Sequence, residues 1–135
     1  MRGIVGIAAA VAAFTCAAAP MTKDEYDAGK ARIAAEYRAD RQKCGERHGN
    51  AADLCIARSR GEQRVARAEL DAAFKPSPNA NLAAANARAQ AAYAIAMQEC
   101  DDRKREARSG CVKDAKAARE RAKAEASAKA AAAPR

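Results

Sequence analysis

Aromatic residues are scarce in this sequence of 135 residues, which contains no Trp, two Phe, three Tyr and one His. Alanine dominates instead, and from Pro20 onward 34 of the 116 residues are Ala. A core built on Ala is thin, because burial stabilises a fold by roughly 25 cal/mol per Å² of apolar area. A small domain with a thin core usually needs covalent staples, and the five Cys are the candidates.

The sequence also lacks the motifs that carry common enzymatic chemistry. It has no Gly-rich phosphate loop, no nucleophile paired with a base, and no acidic pair outside helical surface patterns. A thiol redox enzyme would need Cys-x-x-Cys at the start of a helix, and that spacing is absent. Asp101 and Asp102 are neighbours on one predicted helix, so their side chains point apart and are interpreted as solvated surface. We therefore predict a non-enzymatic protein without a cofactor.

The apolar run at the N terminus is too short for the ~20 residues that a membrane span needs. This uncharged run, 3–14, follows Arg2 and precedes a group of small residues, which is the pattern of a secretory signal peptide. Cleavage is predicted after Ala18, because cleavage after Ala19 would place Pro20 at the +1 position. We expect residues 1–18 to be the signal peptide, the mature form to have no transmembrane anchor, and the protein to be periplasmic or secreted.

Cys16 offers an alternative, a lipid anchor. A lipoprotein signal places a small residue directly before its Cys and usually Leu three before it, whereas Ala13, Phe14 and Thr15 precede Cys16 here. Lipidation is therefore not favoured. Removal of the leader leaves four Cys, an even number that suits disulfides in an oxidising compartment.

These four Cys follow an internal repeat. Cys44 and Cys55 enclose ten residues, Cys100 and Cys111 also enclose ten, and Cys100 lies as far beyond Cys44 as Cys111 lies beyond Cys55. The same offset relates Ala31-Arg32 to Ala87-Arg88, Ala35 to Ala91, Tyr37 to Tyr93, Gln42 to Gln98, Arg47 to Arg103, and Ala68-Glu69 to Ala124-Glu125. The sequence therefore predicts two copies of one unit. Pro76 and Pro78 predict a helix break and linker between them, which gives domains 19–75 and 76–135.

Each copy is predicted to form a pair of helices. Thr22 and Glu25 form a capping box that starts a helix of about 23–47, Gly49 suits a C′ position, and a second helix is expected over 51–74. The apolar stripe of copy two comprises Leu82, Ala85, Ala89, Tyr93, Ala96 and Cys100, and continues through Ala115, Ala118 and Ala122. The C-terminal tail, 124–135, has no large apolar side chain and is expected to fray. The predicted fold is all-α, with two tandem disulfide-stapled antiparallel helical hairpins.

The spacing around the predicted turn favours one pairing of the cysteines. A turn near Gly49 and Asn50 brings Cys44 level with Cys55, so Cys44–Cys55 and Cys100–Cys111 are the preferred disulfides. Residues eleven apart also share a face of one continuous helix, so Cys44–Cys111 with Cys55–Cys100 stays open as an alternative. A metal site at Cys44 and His48 is not favoured, because copy two has Lys104 in place of His48.

The net charge of +8 is biased toward the C terminus, where residues 113–135 carry a surplus of four cations. Such a tail is similar to basic nucleic-acid-binding tails. For an exported protein, the polyanions at hand are phospholipid head groups, lipopolysaccharide or other envelope polymers. We therefore expect an unknown protein or envelope component as the partner, with polyanion contact through the basic tail, and we do not favour nucleic acid.

Several segments together resemble a group of small exported Ala/Lys-rich four-cysteine proteins of Gram-negative bacteria, uncharacterised and sometimes loosely labelled TolA-like. The segments are Met21–Tyr26, Lys30–Ile33 with Tyr37, the Cys-x10-Cys runs, Ala66–Leu70 and Cys111–Lys113. The resemblance covers nearly all of the mature chain. It implies export, helices and the four-Cys pattern, and it supplies no catalytic residue. Copy two departs from the family's glycine-containing turn, with residues 101–109 instead.

These features predict a non-enzymatic exported helical protein that acts as an interaction or cell-envelope-associated module. The alternative is a basic binding protein for a polyanion, either an envelope polymer or nucleic acid.

Overall fold

The computed structural model describes residues 19–133, and in this range the chain forms four helices and no strand. They are α1 (Lys23–Gly45), α2 (Asn50–Phe74), α3 (Pro78–Asp101) and α4 (Arg105–Ala132). The predicted all-α fold with two disulfide-stapled hairpins is confirmed. The predicted signal peptide and Cys16 lie outside the described residues.

The helices form a single open layer. Each packs against the next one along the chain, and among the described residues no contact joins α1 with α3 or α4, or α2 with α4. Turns of three or four residues connect them, so successive helices run antiparallel. The break at Pro76 occupies 75–77, and α2 and α3 on either side of it make the most extensive helix contact. The two hairpins therefore pack on each other through α2 and α3.

Local sequence signals set the helix ends. The Thr22 hydroxyl accepts a hydrogen bond from the amide of Glu25, and the Glu25 carboxylate accepts one from the amide of Thr22, which is the predicted capping box. The Ser77 hydroxyl caps α3 by accepting a hydrogen bond from the amide of Ala80, and Pro78 is in the first turn of the helix. α1 ends at Gly45, two residues before the predicted end. Gly49 is the residue before α2, with φ 58° and ψ −147°, rather than the C′ residue of α1.

The core is as thin as the composition predicts. Ile33 is the one large aliphatic side chain that is buried in the described part of the chain. The other buried residues are small: Gly29, Cys44, Ser59, Gly61, Ala84, Ala87, Ala89, Ala91, Cys100, Ala115 and Ala126. A layer of helices without a second layer over it leaves its larger apolar side chains half-covered.

α3 is buried on two opposite faces. Ala91 lies against Gly61 of α2, and Cys100 is bonded to Cys111 of α4. Nine residues separate Ala91 from Cys100, which is a rotation of about 180° around a helix. The predicted stripe contains Ala89 and Cys100 and misses the second buried face, formed by Ala84, Ala87 and Ala91.

The C-terminal stretch differs from its prediction. Residues 124–132, expected to fray, are helical as far as Ala132, and Ala126 is buried. Ala118 and Ala122, predicted in the apolar stripe, are exposed. Ala126 and Ala130 line one groove with Leu82 near the start of α3, so packing on α3 supports this end of α4.

Candidate interaction surface

The four cysteines close each hairpin at its turn. Cys44 in the last turn of α1 is bonded to Cys55 of α2, with 5.5 Å between their Cα atoms, and Cys100 is bonded to Cys111 with 5.6 Å. Cys44 and Cys100 are almost fully buried. The structure therefore contains the local pairing and not the pairing between copies.

Both disulfides lie at the same end of the layer, because α1 and α3 run in one direction and α2 and α4 in the other. A hydrogen bond ties the two turns together: Nδ2 of Asn50, at the start of α2, donates to the carbonyl oxygen of Gln98 in α3 at 3.0 Å. Arg58 and Glu99 form an ion pair further along the same helices. This end is consequently the most highly crosslinked part of the fold.

The opposite end of the first hairpin is held by an aromatic contact. The rings of Tyr26 and Phe74 stack with 4.3 Å between centroids, and the Tyr26 hydroxyl donates to Oδ1 of Asp71 at 2.7 Å. This hydrogen bond to a carboxylate raises the pKa of Tyr26. Beside it, hydrogen bonds from Lys23 and Lys30 lower the pKa of Asp27 to about 2.

The corresponding positions of the second copy do not repeat this contact. Leu82 stands in place of Tyr26, and Ala130 in place of Phe74. Both residues line an open groove of about 670 Å³ over α3, between the ends of α2 and α4. The Glu69–Arg88 ion pair and Lys129 also line it. The groove offers an alanine floor with charged sides.

A second groove, of about 550 Å³, lies between α2 and α3. Its apolar lining includes the half-buried side chains of Ile56, Tyr93 and Met97, and Arg60 and Arg64 stand beside them. Met97 is nine residues from Arg88 of the first groove, so the two grooves open on opposite sides of α3. The guanidinium of Arg119 in α4 also stacks on the Tyr93 ring, at 4.2 Å from its centroid.

Positive charge is concentrated on the last helix. α4 carries eight Lys and Arg against four Asp and Glu. The other three helices are close to neutral, with six against five in α1, four against four in α2, and one against two in α3. The excess charge therefore lies along one edge of the layer, on the helix that contains most of the predicted basic stretch, 113–135.

No group of three or more His, Cys, Asp or Glu side chains in 19–133 is placed to hold a metal ion. His48 is exposed in the first turn, and Asp101 accepts hydrogen bonds from the Arg108 guanidinium across the second turn. Among the described helices, none is long and apolar enough to cross a membrane.

Comparison of the chain with family models, curated proteins and solved structures finds no match. The grooves were missed by sequence reasoning because their linings come from two or three helices whose register the sequence does not show. Ile56 and Met97 were the sequence features that could have indicated the groove between α2 and α3, since both are large apolar side chains outside the predicted stripes.

Proposed function

We propose that the protein is an exported, non-enzymatic helical module, built from a duplicated hairpin, that acts through its surface in the cell envelope. The observation that carries this proposal is the pair of disulfides on a layer whose buried residues, apart from Ile33, are all small. Disulfides persist in oxidising compartments and are rare in the cytosol. A fold that depends on them for stability is suited to the periplasm or the extracellular space.

The groove between α2 and α3 supports an interaction role. It combines the half-buried side chains of Ile56, Tyr93 and Met97 with the guanidinium groups of Arg60 and Arg64. Aromatic, Met and Arg side chains are enriched at protein–protein interfaces. The groove is open along its length, so it suits an extended or helical segment of a partner better than an enclosed small molecule.

The charge distribution supports a second candidate, polyanion binding through α4. This one helix carries eight cationic and four anionic side chains, and most of them are exposed. In an envelope, the polyanions would be anionic lipid head groups or lipopolysaccharide. Such binding releases counterions from the polyanion, and it weakens steeply with salt because that release is less favourable at a high salt concentration.

Export is tested by fractionation of cells that express the full-length chain or a variant lacking residues 2–18. We expect the full-length protein in the periplasm, with an N terminus at Ala19 or within a few residues of it and all four mature Cys blocked to thiol reagents. The leaderless variant should stay in the cytoplasm with free thiols. A mature form that retains Met1, a lipid on Cys16, or free thiols in the periplasm would contradict the proposal.

The two candidate functions are separated by salt and by matched variants. Binding to phosphatidylglycerol vesicles is measured at about 50 and about 500 mM salt. A polyanion binder should lose binding at high salt and when Lys113, Lys116 and Lys123 are replaced by Gln, but not when Arg60, Arg64 and Arg67 are replaced. An interaction module should show no vesicle binding, and its capture of an envelope protein should survive high salt and be lost in Met97→Lys but not in Ala107→Lys.

A further inference from the structure

The contact between α2 and α3 contains two ion pairs and a strip of small residues. Arg58 pairs with Glu99 at 3.2 Å, and Arg88 pairs with Glu69 at 2.6 Å. Between these pairs, Gly61 lies directly against Ala91. The layer is open, so in the described structure the outer face of α1 and the outer face of α4 have no neighbouring helix.

The offset that relates the two copies matches α2 with α4 and α1 with α3. It relates the disulfides to each other and also buried positions, Ile33 to Ala89 and Ser59 to Ala115. The outer face of α4 therefore corresponds to the face of α2 that packs on α3. The outer face of α1 corresponds to the face of α3 that packs on α2.

Both ion pairs keep their attraction under this offset. Glu69 and Arg88 correspond to Glu125 of α4 and Arg32 of α1. Arg58 and Glu99 correspond to Asp114 of α4 and Lys43 of α1, so the second pair has exchanged its signs. A pair that changes both residues and stays complementary is what a contact between the two surfaces requires. Within one chain they cannot, because α1 and α4 do not touch.

The small residues of the contact recur on α1. Ala84, Ala87 and Ala91 of α3 are buried, and the corresponding residues of α1 are Ala28, Ala31 and Ala35, which are all exposed. The correspondence is incomplete on α4. Ala117 takes the place of Gly61, so a helix packed on the outer face of α4 would lie slightly further from α4 than α3 lies from α2. Glu106 takes the place of Asn50 and cannot donate the hydrogen bond to the carbonyl of position 42.

We propose that α4 of one copy packs against α1 of a second copy, repeating between chains the contact that α2 and α3 make within one chain. The pairing joins two different surfaces, so it is heterologous and extends head to tail into chains or closed rings. Arg32 would pair with Glu125 of the second copy, and Lys43, which pairs with Asp40 within its own chain, would pair with Asp114 of the second copy. The proposal rests on the described residues and not on the proposed function.

Charge exchange tests the proposal on the oxidised protein as the cell produces it. Sedimentation equilibrium should show a mean mass that rises with concentration. Arg32→Glu alone, or Glu125→Arg alone, should weaken association about tenfold, because each places like charges in contact. The double variant R32E/E125R should restore it. Residues 32 and 125 lie on helices that do not touch within a chain, so this rescue can arise only between chains.

Blocked ends distinguish this contact from a two-fold dimer. Ala35→Arg blocks the α1 face, and Ala124→Arg blocks the α4 face; both residues are exposed, so circular dichroism of each variant should match the parent. Each variant alone should be monomeric, and an equimolar mixture should form a dimer that grows no further. A monomeric parent at every concentration, single charge variants without effect, a double variant that is not rescued, or dimers of either blocked variant alone would each overturn the proposal.

Discussion

Gly49 and Arg105, which are as far apart in sequence as Cys44 and Cys100, both hold a positive φ at the start of the second helix of their hairpin, 58° and 45°. Glycine adopts this region without steric cost, whereas a side chain brings Cβ too close to the backbone and costs about 1–2 kcal/mol. The two turns thus share a backbone feature that only the first turn has the residue to accommodate. The second hairpin carries the strain.

The first prediction concerns this strained position. Arg105→Gly should raise the free energy of unfolding by about 0.5–1 kcal/mol, since relief of the strain exceeds the added chain entropy of glycine in the unfolded state. Urea denaturation measures the change. The matched control is Gly49→Ala, which should lower stability by about 1 kcal/mol or more. A loss of stability in Arg105→Gly would show that the Arg side chain contributes more than its backbone costs.

The second prediction concerns a buried hydroxyl. Ser59 is 4% exposed, and its Oγ has no hydrogen-bond partner among the described residues. The corresponding residue of the second hairpin is Ala115, which is also buried. Ser59→Ala should therefore stabilise the protein by about 1 kcal/mol, because it removes an unsatisfied polar group without leaving a large cavity. Ala115→Ser is the reverse control and should cost a similar amount. Destabilisation by Ser59→Ala would mean that the hydroxyl has a bound partner.

The third prediction concerns the close approach of α2 and α3. A Cβ added at Gly61 would come within 2.9 Å of the Cβ of Ala91. Overpacking of this kind costs about 1–3 kcal/mol, against a gain of up to about 1 kcal/mol in helix propensity. Gly61→Ala should therefore lower the midpoint of thermal unfolding.

Two variants control for propensity and for the contact itself. Gly110→Ala, in open space on α4, should stabilise by about 0.5–1 kcal/mol. Adding Ala91→Gly to Gly61→Ala should recover part of the loss, so that the two changes are coupled rather than additive. If Gly61→Ala stabilises as much as Gly110→Ala, the helices do not meet at this point.

The parts of this architecture that depend on local sequence signals were predictable, whereas the parts that depend on tertiary contacts were not. The Thr22–Glu25 capping box and the pairing of cysteines across a turn depend on neighbours in sequence, and both follow from spacing. The second buried face of α3 does not, because Ala84, Ala87 and Ala91 carry no contrast in a helix that is rich in Ala on every side. The open layer and its grooves depend on which helices pack together, and the sequence of a single helix does not specify its packing partner.

The fourth prediction is a pH dependence at the end of the first hairpin. The hydrogen bond from Tyr26 to Asp71 requires a protonated phenol, and it raises the folded-state pKa above the ordinary value of about 10. Its contribution is fully present below that value and is lost as pH rises through the folded-state pKa. The melting temperature of the parent should exceed that of Tyr26→Phe at pH 9, and the difference should vanish in strong alkali. A difference independent of pH would contradict the assignment.

The last prediction ranks the two disulfides. The two disulfides close loops of equal length, and each contributes about 2–3 kcal/mol to stability in the chain-entropy model. The first hairpin has other restraints: buried Ile33, the Tyr26–Phe74 stack and a glycine at its turn. The second has Ala packing, the exposed Asp101–Arg108 ion pair, the Arg119–Tyr93 stack and the strained Arg105. Reduction should lower the melting temperature strongly and leave much helical circular dichroism, because Ala propensity persists without packing.

The paired variants C44A/C55A and C100A/C111A remove the same atoms, so their comparison isolates the surroundings of each bond. Loss of Cys100–Cys111 should release α4 from α3, seen as fast amide hydrogen exchange over 105–132 well below the midpoint of global unfolding. Loss of Cys44–Cys55 should lower global stability while α1 stays protected at its Tyr26 end. Equal exchange in both variants would mean that α4 is held to α3 as firmly as α1 is held to α2, and an unchanged melt on reduction would mean that packing or association between copies carries the fold.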